Sequence, residues 1–167
     1  MKVLHISSAL SWRGGEQQVA YLMDEIENAG HVQYLYCPKG SELSIHARKK
    51  ALTFQTYSKR GSIDLLSARR LAKYARTKKV DLIHMHDSHA HNLAILATSL
   101  FRLRVPLVLS RRVDFPLKSN FFSNWKYNHS AIKKILCVSK NISKIIAPQI
   151  KDQSKICLLY TSPSPRD

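Results

Sequence analysis

The sequence contains few of the residues that hold small or metal-dependent domains together. Its 167 residues include three cysteines, Cys37, Cys137 and Cys157, and these form no CxxC pair. The first two lie in or beside apolar runs, where a free cysteine packs as a small hydrophobic side chain. Neither a disulfide framework nor a zinc site is indicated, and a chain of this length can bury a stable core without them.

Long apolar runs are also lacking. No segment approaches the ~20 consecutive apolar residues that span a bilayer, and the first residues turn polar too early for a signal peptide. We therefore expect a cytoplasmic protein. The hydrophobic content of 44% and the charged content of 23% are typical of a globular domain with a packed core rather than of a disordered or fibrous chain.

Acidic residues are scarce, with 11 Asp and Glu against 27 Lys and Arg, and the formal net charge is +16. Such a charge attracts polyanions. The candidates are nucleic acid, an anionic membrane face and a phosphorylated or lipid-linked acceptor, and a basic surface kept for solubility is the simpler alternative. Nucleic-acid binding requires basic residues gathered on one groove-fitting element or aromatic residues set for stacking. The basic residues are instead scattered, so we expect no nucleic-acid partner but peripheral contact with an anionic membrane.

Apolar strand-like runs alternate with helical patterns along the chain. Strands are predicted at residues 2–7, 32–37, 51–56, 80–86, 106–110 and 135–138, and helices at 15–28, 42–50, 88–101, from 139 onward, and through Tyr74 after an N-cap at Ser62. Residues 111–130 are predicted to be looser. Runs that are apolar on both faces, such as 107–109, indicate strands covered on both sides. The class is therefore α/β, a Rossmann-like doubly wound parallel sheet, with residues 1–157 as one unit.

Residues 158–167 break this pattern. Two prolines among serines cannot continue a central strand. We interpret these residues as a disordered or artefactual tail, which would make the gene truncated after about Cys157. A natural Pro/Ser tail is the alternative interpretation.

A glycine loop joins the first predicted strand to the first helix at residues 11–16 (SWRGGE). Gly14 and Gly15 allow the backbone to approach an anion closely, and a helix N-terminus offers unpaired N–H groups and partial positive charge. The spacing matches neither the GxGxxG fingerprint nor a Walker A loop. The loop predicts a diphosphate contact, and a purely structural tight turn is an equal alternative.

Three motifs occur together in the order found in one enzyme family. Residues 13–16 (RGGE), 80–87 (VDLIHMHD) and 136–140 (LCVSK) resemble the GGxE loop, the DxxHxH segment and the VS-plus-basic strand end of family-4 retaining glycosyltransferases. The resemblance covers about residues 1–157. It implies the N-terminal, acceptor-side half of a GT-B architecture, whose C-terminal domain binds the nucleotide-sugar donor.

The same resemblance implies a function and a site. The reaction would be a retaining, metal-independent transfer of sugar to a cell-envelope saccharide or lipid-linked acceptor, without a cofactor and with no activity from the single domain. Gly14 and Gly15 would approach the donor diphosphate. His86, which matches the second His of the HxH segment, would lie near the transferred sugar as the catalytic residue, where it can donate a hydrogen bond or stabilise developing charge.

The histidines around His86 allow a metal site as an alternative. In a strand, His84 and His86 point to the same face, whereas His89 and His91 belong to the following loop and helix and need not converge with them. We therefore expect no metal. For His84, a hydrogen-bonded position inside the sheet is the preferred interpretation, while His86 ends the strand at the edge where open α/β sheets bind ligands.

A further charged segment follows the next strand at that edge. Arg111 and Arg112 can clamp a phosphate or carboxylate, and Asp114 can restrain one of them or accept a hydroxyl proton from the acceptor. We predict that these residues and Glu16 recognise acceptor or donor, and surface arginines paired with Asp114 are the alternative.

Residues 115–127 interleave aromatic side chains with Lys118 and Lys126. Such a stretch can bind a sugar ring or dip into a membrane interface, and ordinary packing of an amphipathic helix is the simpler interpretation. Two other functions also remain open for the whole chain. They are a stand-alone, non-enzymatic Rossmann-like binding domain and a basic nucleic-acid-binding protein.

Overall fold

The computed structural model describes residues 1–61, 63–117 and 120–159. Their strands form one parallel sheet of seven strands in the order β3-β2-β1-β4-β5-β6-β7. The strands are β1 (Lys2–Ile6), β2 (Val32–Pro38), β3 (Phe54–Tyr57), β4 (Leu82–Met85), β5 (Leu107–Arg111), β6 (Ile132–Cys137) and β7 (Ile156–Leu158). The helices are α1 (Gly14–Asn28), α2 (Glu42–Lys49), α3 (Leu65–Lys78), α4 (Ser88–Leu100), α5 (Phe121–Tyr127) and α6 (Lys140–Ile146).

The strand order reverses between β1 and β4, so the predicted doubly wound topology is confirmed. The chain first builds β1, β2 and β3 outward on one side, then returns through α3 to place β4 on the other side of β1. The loops after β1 and β4 consequently diverge at the carboxyl edge of the sheet. Open α/β sheets bind ligands in the crevice at such a switch point.

Two apolar clusters cover the two faces of the sheet. The larger one includes Leu4, Ile6, Ile83 and Met85 together with buried residues of α3 and α4. The smaller one packs α1 and α2 against β2. Because side chains alternate along a strand, the residues between those of the larger cluster face the α1 side. This alternation turns the histidines of β1 and β4 toward the glycine loop.

Several helices begin at a polar side chain that accepts a hydrogen bond from the first turn, as N-caps do. Asp64 caps α3, since its Oδ1 accepts a bond of 2.9 Å from the backbone N–H of Ser67. The predicted cap, Ser62, lies outside the described residues. The helix begins at Leu65, and Asp64 rather than Ser62 fills the position before it.

The structure differs from the sequence prediction mainly in the last third of the chain. The stretch predicted to be loose contains α5, which Asn120 caps. A seventh strand, β7, pairs with β6 and includes Leu158, the first residue of the predicted tail. Residues 160–167 and Lys118 lie outside the described residues, so the interpretation of the tail stays a prediction.

The structure also bears on the cysteines and on membrane-spanning helices. Cys37 and Cys137 are fully buried in the apolar clusters, as predicted. Within residues 1–61, 63–117 and 120–159, no helix has both the length and the apolar character needed to cross a membrane.

Candidate functional site

Three loops of the carboxyl edge meet at the switch point. Gly15 lies in the first turn of α1, His86 follows β4, and Arg112 follows β5. The Arg112 guanidinium joins them: Nη1 donates to the Gly15 carbonyl at 3.3 Å, and Nη2 lies 3.4 Å from Nδ1 of His86. The structure therefore brings together three of the residues that the sequence predicted for the site.

A cleft of about 450 Å³ opens in front of these residues. It is lined by Gly14, Gly15, Gln18, His84, Ser110 and Arg112, with an apolar rim of Leu22, Leu136, Val138 and Leu159. Beside Arg112 lies a smaller cavity of about 170 Å³, whose lining includes His86, Ser88 and Arg111. A ligand in either space would contact the Arg112 side chain.

The glycine loop leaves its backbone open to an anion. No protein atom lies within 4 Å of a Cβ built at Gly14, and the nearest atom to one at Gly15 is Nη1 of Arg112 at 4.0 Å. Helical hydrogen bonding in α1 begins at Gln17, whose backbone N–H donates to the Arg13 carbonyl. The preceding N–H groups face the start of the helix, where negative charge is favoured.

Glu16 has a structural contact within this loop. Its Oε2 accepts a hydrogen bond of 3.0 Å from the backbone N–H of Arg13, the residue just before α1. This is the side-chain contact of a capping box. Its charge also acts on Arg112: burial lowers the pKa of the guanidinium, and the charges of Glu16 and Asp87 partly offset that effect. Glu16 is thus placed to hold Arg112 electrostatically, and its predicted contact with donor or acceptor stays a prediction.

His86 belongs to a buried group of three imidazoles. His5 of β1 places Nδ1 at 3.0 Å from Nε2 of His86, and His84 places Nε2 at 2.8 Å from the Ser110 hydroxyl. The ring centroids of His84 and His86 are 4.2 Å apart. The expected hydrogen-bonded position of His84 inside the sheet is therefore observed.

Burial keeps these imidazoles neutral. Desolvation lowers the pKa of His5 to about 4, with a small opposing effect from the Gln33 side chain. Burial and the neighbouring charges of His5 and Arg112 lower the pKa of His84 to about 3. The pKa of His86 is lowered in the same way, first by burial and then by electrostatic repulsion from His84, His5 and Arg112. A neutral imidazole has one donor and one acceptor nitrogen, so the partners decide the tautomer.

His5, His84 and His86 each offer one ring nitrogen, and these nitrogens lie within 4.8 Å of one another. Among the described residues, this is the group that could hold a metal ion. The arrangement does not fit a cation well. A metal on Nε2 of His86 would force the ring proton onto Nδ1, against the N–H groups of Arg112. The guanidinium would also repel the ion. The expectation that no metal binds stays a prediction.

The two adjacent arginines take different positions. Arg111 is buried and donates to the Tyr127 hydroxyl at 3.2 Å and to the Phe115 carbonyl. Arg112 instead faces Gly15 and His86. Successive residues leave a strand end on opposite sides, so the two guanidiniums do not form one clamp. Asp114 is exposed, and neither arginine forms an ion pair with it in the described structure.

Asp87 joins the two loops of the switch point. Its carboxylate accepts hydrogen bonds of 2.6 Å from both the backbone N–H and the hydroxyl of Ser8 in the β1–α1 loop. It also caps α4 by accepting from the N–H groups of His89 and Ala90. The aspartate therefore fixes the glycine loop relative to the strand that carries His86.

The remaining histidines of this segment lie elsewhere, as expected. His89 stacks on Tyr57, and Nε2 of His91 lies 3.1 Å from the Lys126 carbonyl. Sequence reasoning missed His5 as a member of the site. The available signal was one polar residue within the apolar run of β1, in register with His84 on β4.

The burial of Lys126, which is only 7% exposed, was not predicted from the sequence. Its spacing in the aromatic-basic stretch resembles that of an exposed lysine on an amphipathic helix, and no sequence signal distinguishes the two. Tyr127 and Ser123 are buried on the same helix.

Comparisons with known proteins agree with this architecture. The family model described as Glycosyltransferase Family 4 matches residues 12–162. The structure of Anabaena Alr3699/HepE in complex with UDP-glucose has a TM-score of 0.70 at 14% identity, with 96% of this chain and 43% of that chain covered. No curated protein sequence gives a significant match.

Two further solved structures share the fold. A glycosyltransferase from Rickettsia africae has a TM-score of 0.71 at 17% identity, with 94% of this chain and 42% of that one covered. The lipopolysaccharide outer core galactosyltransferase WaaB has a TM-score of 0.69 at 14% identity, with 100% and 50% covered. The chain thus spans about half the length of the structures it matches. The family match covers most of the sequence, and the chain therefore belongs to Glycosyltransferase Family 4.

Proposed function

We propose that this chain is the N-terminal, acceptor-side half of an enzyme that transfers a sugar from a nucleotide-sugar donor to a cell-envelope saccharide or lipid-linked acceptor. The observation that carries the proposal is the meeting of Gly15, His86 and Arg112 at the switch point of a family-4 chain. Structures of HepE with UDP-glucose and with UDP support a nucleotide-sugar donor. The lipopolysaccharide activity of WaaB supports an envelope acceptor.

In this proposal the donor diphosphate lies against the first turn of α1. The N–H groups of Gly14 and Gly15 and the guanidinium of Arg112 neutralise the charge that grows on the departing nucleotide. They take the part that a metal ion plays in other transferases, so transfer is metal-independent. The sugar is transferred with its anomeric configuration retained, which is the outcome that the family resemblance implies.

His86 acts on the transferred sugar as a neutral imidazole. Its Nδ1 faces Arg112 and its Nε2 faces His5, and the residue lines the small cavity. When a diphosphate draws Arg112 away, Nδ1 becomes available to a hydroxyl of the sugar. A neutral ring aimed at one hydroxyl positions the donor without forming a covalent bond.

The base and ribose of the donor bind a second domain in this proposal. The described cleft offers the diphosphate a helix terminus and one guanidinium, and its other wall is apolar. The single domain is therefore inactive and binds nucleotide weakly. The basic chain works in the cytoplasm with peripheral contact to an anionic membrane face, where a lipid-linked acceptor is presented.

The diphosphate contact can be tested on the chain itself. In the ¹⁵N-labelled protein, UDP should shift the amide signals of Gly14, Gly15 and Glu16, whereas uridine, which lacks the diphosphate, should not. Gly15→Ala adds a methyl group where the protein has room but the ligand does not, and Arg112→Gln removes the charge. Both variants should weaken UDP binding by about tenfold, the effect of roughly 1.4 kcal/mol.

Arg104→Gln is the matched control, because Arg104 is exposed at the opposite edge of the sheet. If UDP leaves the glycine-loop signals in place, or if Arg104→Gln weakens binding as much as Arg112→Gln does, the donor site is wrong. The stand-alone binding domain would then become the better interpretation.

A further inference from the structure

A second cavity at the carboxyl edge contains positive charge that the donor site does not use. Its volume is about 370 Å³, and it lies between the N-terminus of α4, the loop after β5 and α5. Two cationic side chains line it, Arg111 with 8% and Lys126 with 7% of their surface exposed. Buried cations are costly unless they have compensating partners or take part in binding.

Arg111 retains donors toward an additional partner. Its Nη1 donates to the Tyr127 hydroxyl and its Nη2 to the Phe115 carbonyl, but its buried Nε has no hydrogen-bond partner. Both acceptors are neutral. No carboxylate lies within 4.0 Å of the guanidinium in the part of the chain that the structure describes. An unsatisfied N–H on a buried guanidinium is destabilising unless a ligand accepts from it.

Lys126 extends the same donor surface across the cavity. Its ammonium donates to Oδ1 of Asn92 at 2.9 Å and to the Ser88 hydroxyl at 3.3 Å. Ser88 lies in the first turn of α4, where the helix dipole adds partial positive charge. The cavity therefore combines two cations, hydroxyl and amide groups and a helix N-terminus.

The pKa of His91, which is buried next to this cavity, reflects the positive charge around it. The pKa of His91 is lowered to about 3 by burial and by the charges of Lys126, His129 and Arg111, against a smaller opposite effect of its backbone hydrogen bond. His91 is therefore neutral. It adds no positive charge of its own beside Arg111 and Lys126.

We propose that this cavity binds the phosphate group of the acceptor. A phosphate offers several acceptor oxygens and negative charge to Arg111 and Lys126, and its geometry suits a guanidinium. The inference rests on the proposed transferase function and adds the chemical class of its acceptor. The donor site has its own cation, Arg112, on the other side of the strand end.

The position of the cavity relates it to the reaction. It shares Ser88, Arg111, Val113 and Tyr127 with the small cavity that His86 lines. An acceptor with its phosphate between Arg111 and Lys126 can therefore extend through the shared wall toward His86. Its nucleophilic hydroxyl would then lie on the same side as the transferred sugar.

The test uses the ¹⁵N-labelled chain and two phosphate probes. One is glycerol 3-phosphate, a soluble phosphomonoester, and the other is a short-chain phosphatidic acid below its micelle concentration. Either probe should shift the Nε–H signal of Arg111 and the side-chain amide of Asn92. Stronger binding of the lipid probe would assign the acceptor to the membrane, and equal binding would assign it to a soluble sugar phosphate.

Variants distinguish this site from the donor site. Arg111→Gln and Lys126→Gln should each weaken phosphate binding at least tenfold and leave the UDP-induced shifts of Gly14 and Gly15 within twofold. Arg112→Gln should do the reverse, and Arg104→Gln should change neither. If a buried variant fails to fold, the Arg111 Nε–H signal of the unmodified chain decides the question.

The outcomes separate the two proposals. If the phosphate probes shift only the glycine loop, or leave the Arg111 signal in place, the acceptor subsite is overturned and the donor site survives. If UDP has no effect while phosphate shifts Arg111, the transferase proposal fails and the cavity is an anion site of a binding domain.

Discussion

The imidazole of His5 lies beside that of His86, with Nδ1 and Nε2 separated by 3.0 Å and the two rings inclined by 18°. On its other side, His86 presents Nδ1 to Arg112 at 3.4 Å. A guanidinium can only donate, so Nδ1 of His86 is the acceptor and Nε2 carries the proton. His86 then donates to Nδ1 of His5, whose own proton is on Nε2.

This chain of hydrogen bonds predicts a single tautomer for His86. In long-range ¹H–¹⁵N spectra of the chain at pH 7, His86 should show a protonated Nε2 and an unprotonated Nδ1. His5→Leu removes the acceptor of the Nε2 proton, and the His86 signals should change toward a mixture of tautomers. His31→Leu is the control, because His31 is exposed. Finding the proton on Nδ1 of His86 in the unmodified chain would contradict the assignment.

The buried histidines also predict how stability depends on pH. Burial lowers the pKa of His5 to about 4 and of His84 and His91 to about 3, compared with about 6.5 in an unfolded chain. Below pH 6.5 the unfolded chain takes up protons that the folded chain resists. Each of these histidines therefore lowers the free energy of unfolding by about 1.4 kcal/mol per pH unit, until the pH approaches the folded pKa.

Urea unfolding at pH 7.5, 6.5, 5.5 and 4.5 measures this slope. Stability should be nearly constant above pH 7 and fall steeply below 6. His91→Phe should reduce the slope of the free energy of unfolding against pH by the contribution of about one proton. His31→Gln should not change this slope. A stability that is flat between pH 6.5 and 4.5 would show that the buried imidazoles are protonated in the folded chain.

Most of the fold could be predicted from the sequence because apolar strand-like runs alternate with helical patterns along the chain. The run at β5 and the strand–glycine–helix order at β1 and α1 each indicate a parallel sheet. Helix α5 has no predicted bounds, because residues 111–130 were predicted to be looser and an amphipathic helix was only the simpler interpretation of residues 115–127. Its buried residues, Ser123, Lys126 and Tyr127, lack an apolar helical period. Strand β7 is three residues long and half-buried, too short for a pattern.

Residues of the site could be predicted only where they belong to a sequence motif. Gly15 and His86 lie at strand ends that the topology brings together, and the structure joins them through Arg112. Arg111 and Arg112 point in opposite directions because side chains alternate along a strand and β5 continues to Arg111. The sequence prediction ended this strand at residue 110. Pairing of His5 with His84 depends on register between strands far apart in sequence.

His86 should matter for turnover. In a chimera that joins this chain to the C-terminal half of HepE, His86→Ala should lower kcat by about 10²–10³, the effect expected of a group that contacts the reacting sugar. Steady-state kinetics with UDP-glucose measures the change. His89→Ala, in the first turn of α4, is the matched control. Near-normal kcat in the His86 variant, with the fold intact, would remove the catalytic assignment.

Asp87 should matter for stability, because its carboxylate joins two loops as well as capping α4. Asp87→Ala removes the acceptor of the Ser8 N–H and hydroxyl and of the His89 and Ala90 N–H groups. A lost N-cap costs about 0.5–2 kcal/mol, and an unsatisfied buried donor adds about 1–3 kcal/mol. The free energy of unfolding should therefore fall by roughly 2–4 kcal/mol, as urea unfolding at pH 7.5 would measure.

Asp64→Ala provides the comparison that isolates the link between loops. Asp64 caps α3 and bonds within that helix turn to the Ser67 N–H and hydroxyl, without reaching another loop. Its loss should reduce stability but leave the amide signals of Gly14 and Gly15 in place, whereas Asp87→Ala should shift or broaden them. If both variants leave those signals unchanged, the glycine loop is held by α1 alone, and Asp87 is a helix cap without influence on the donor site.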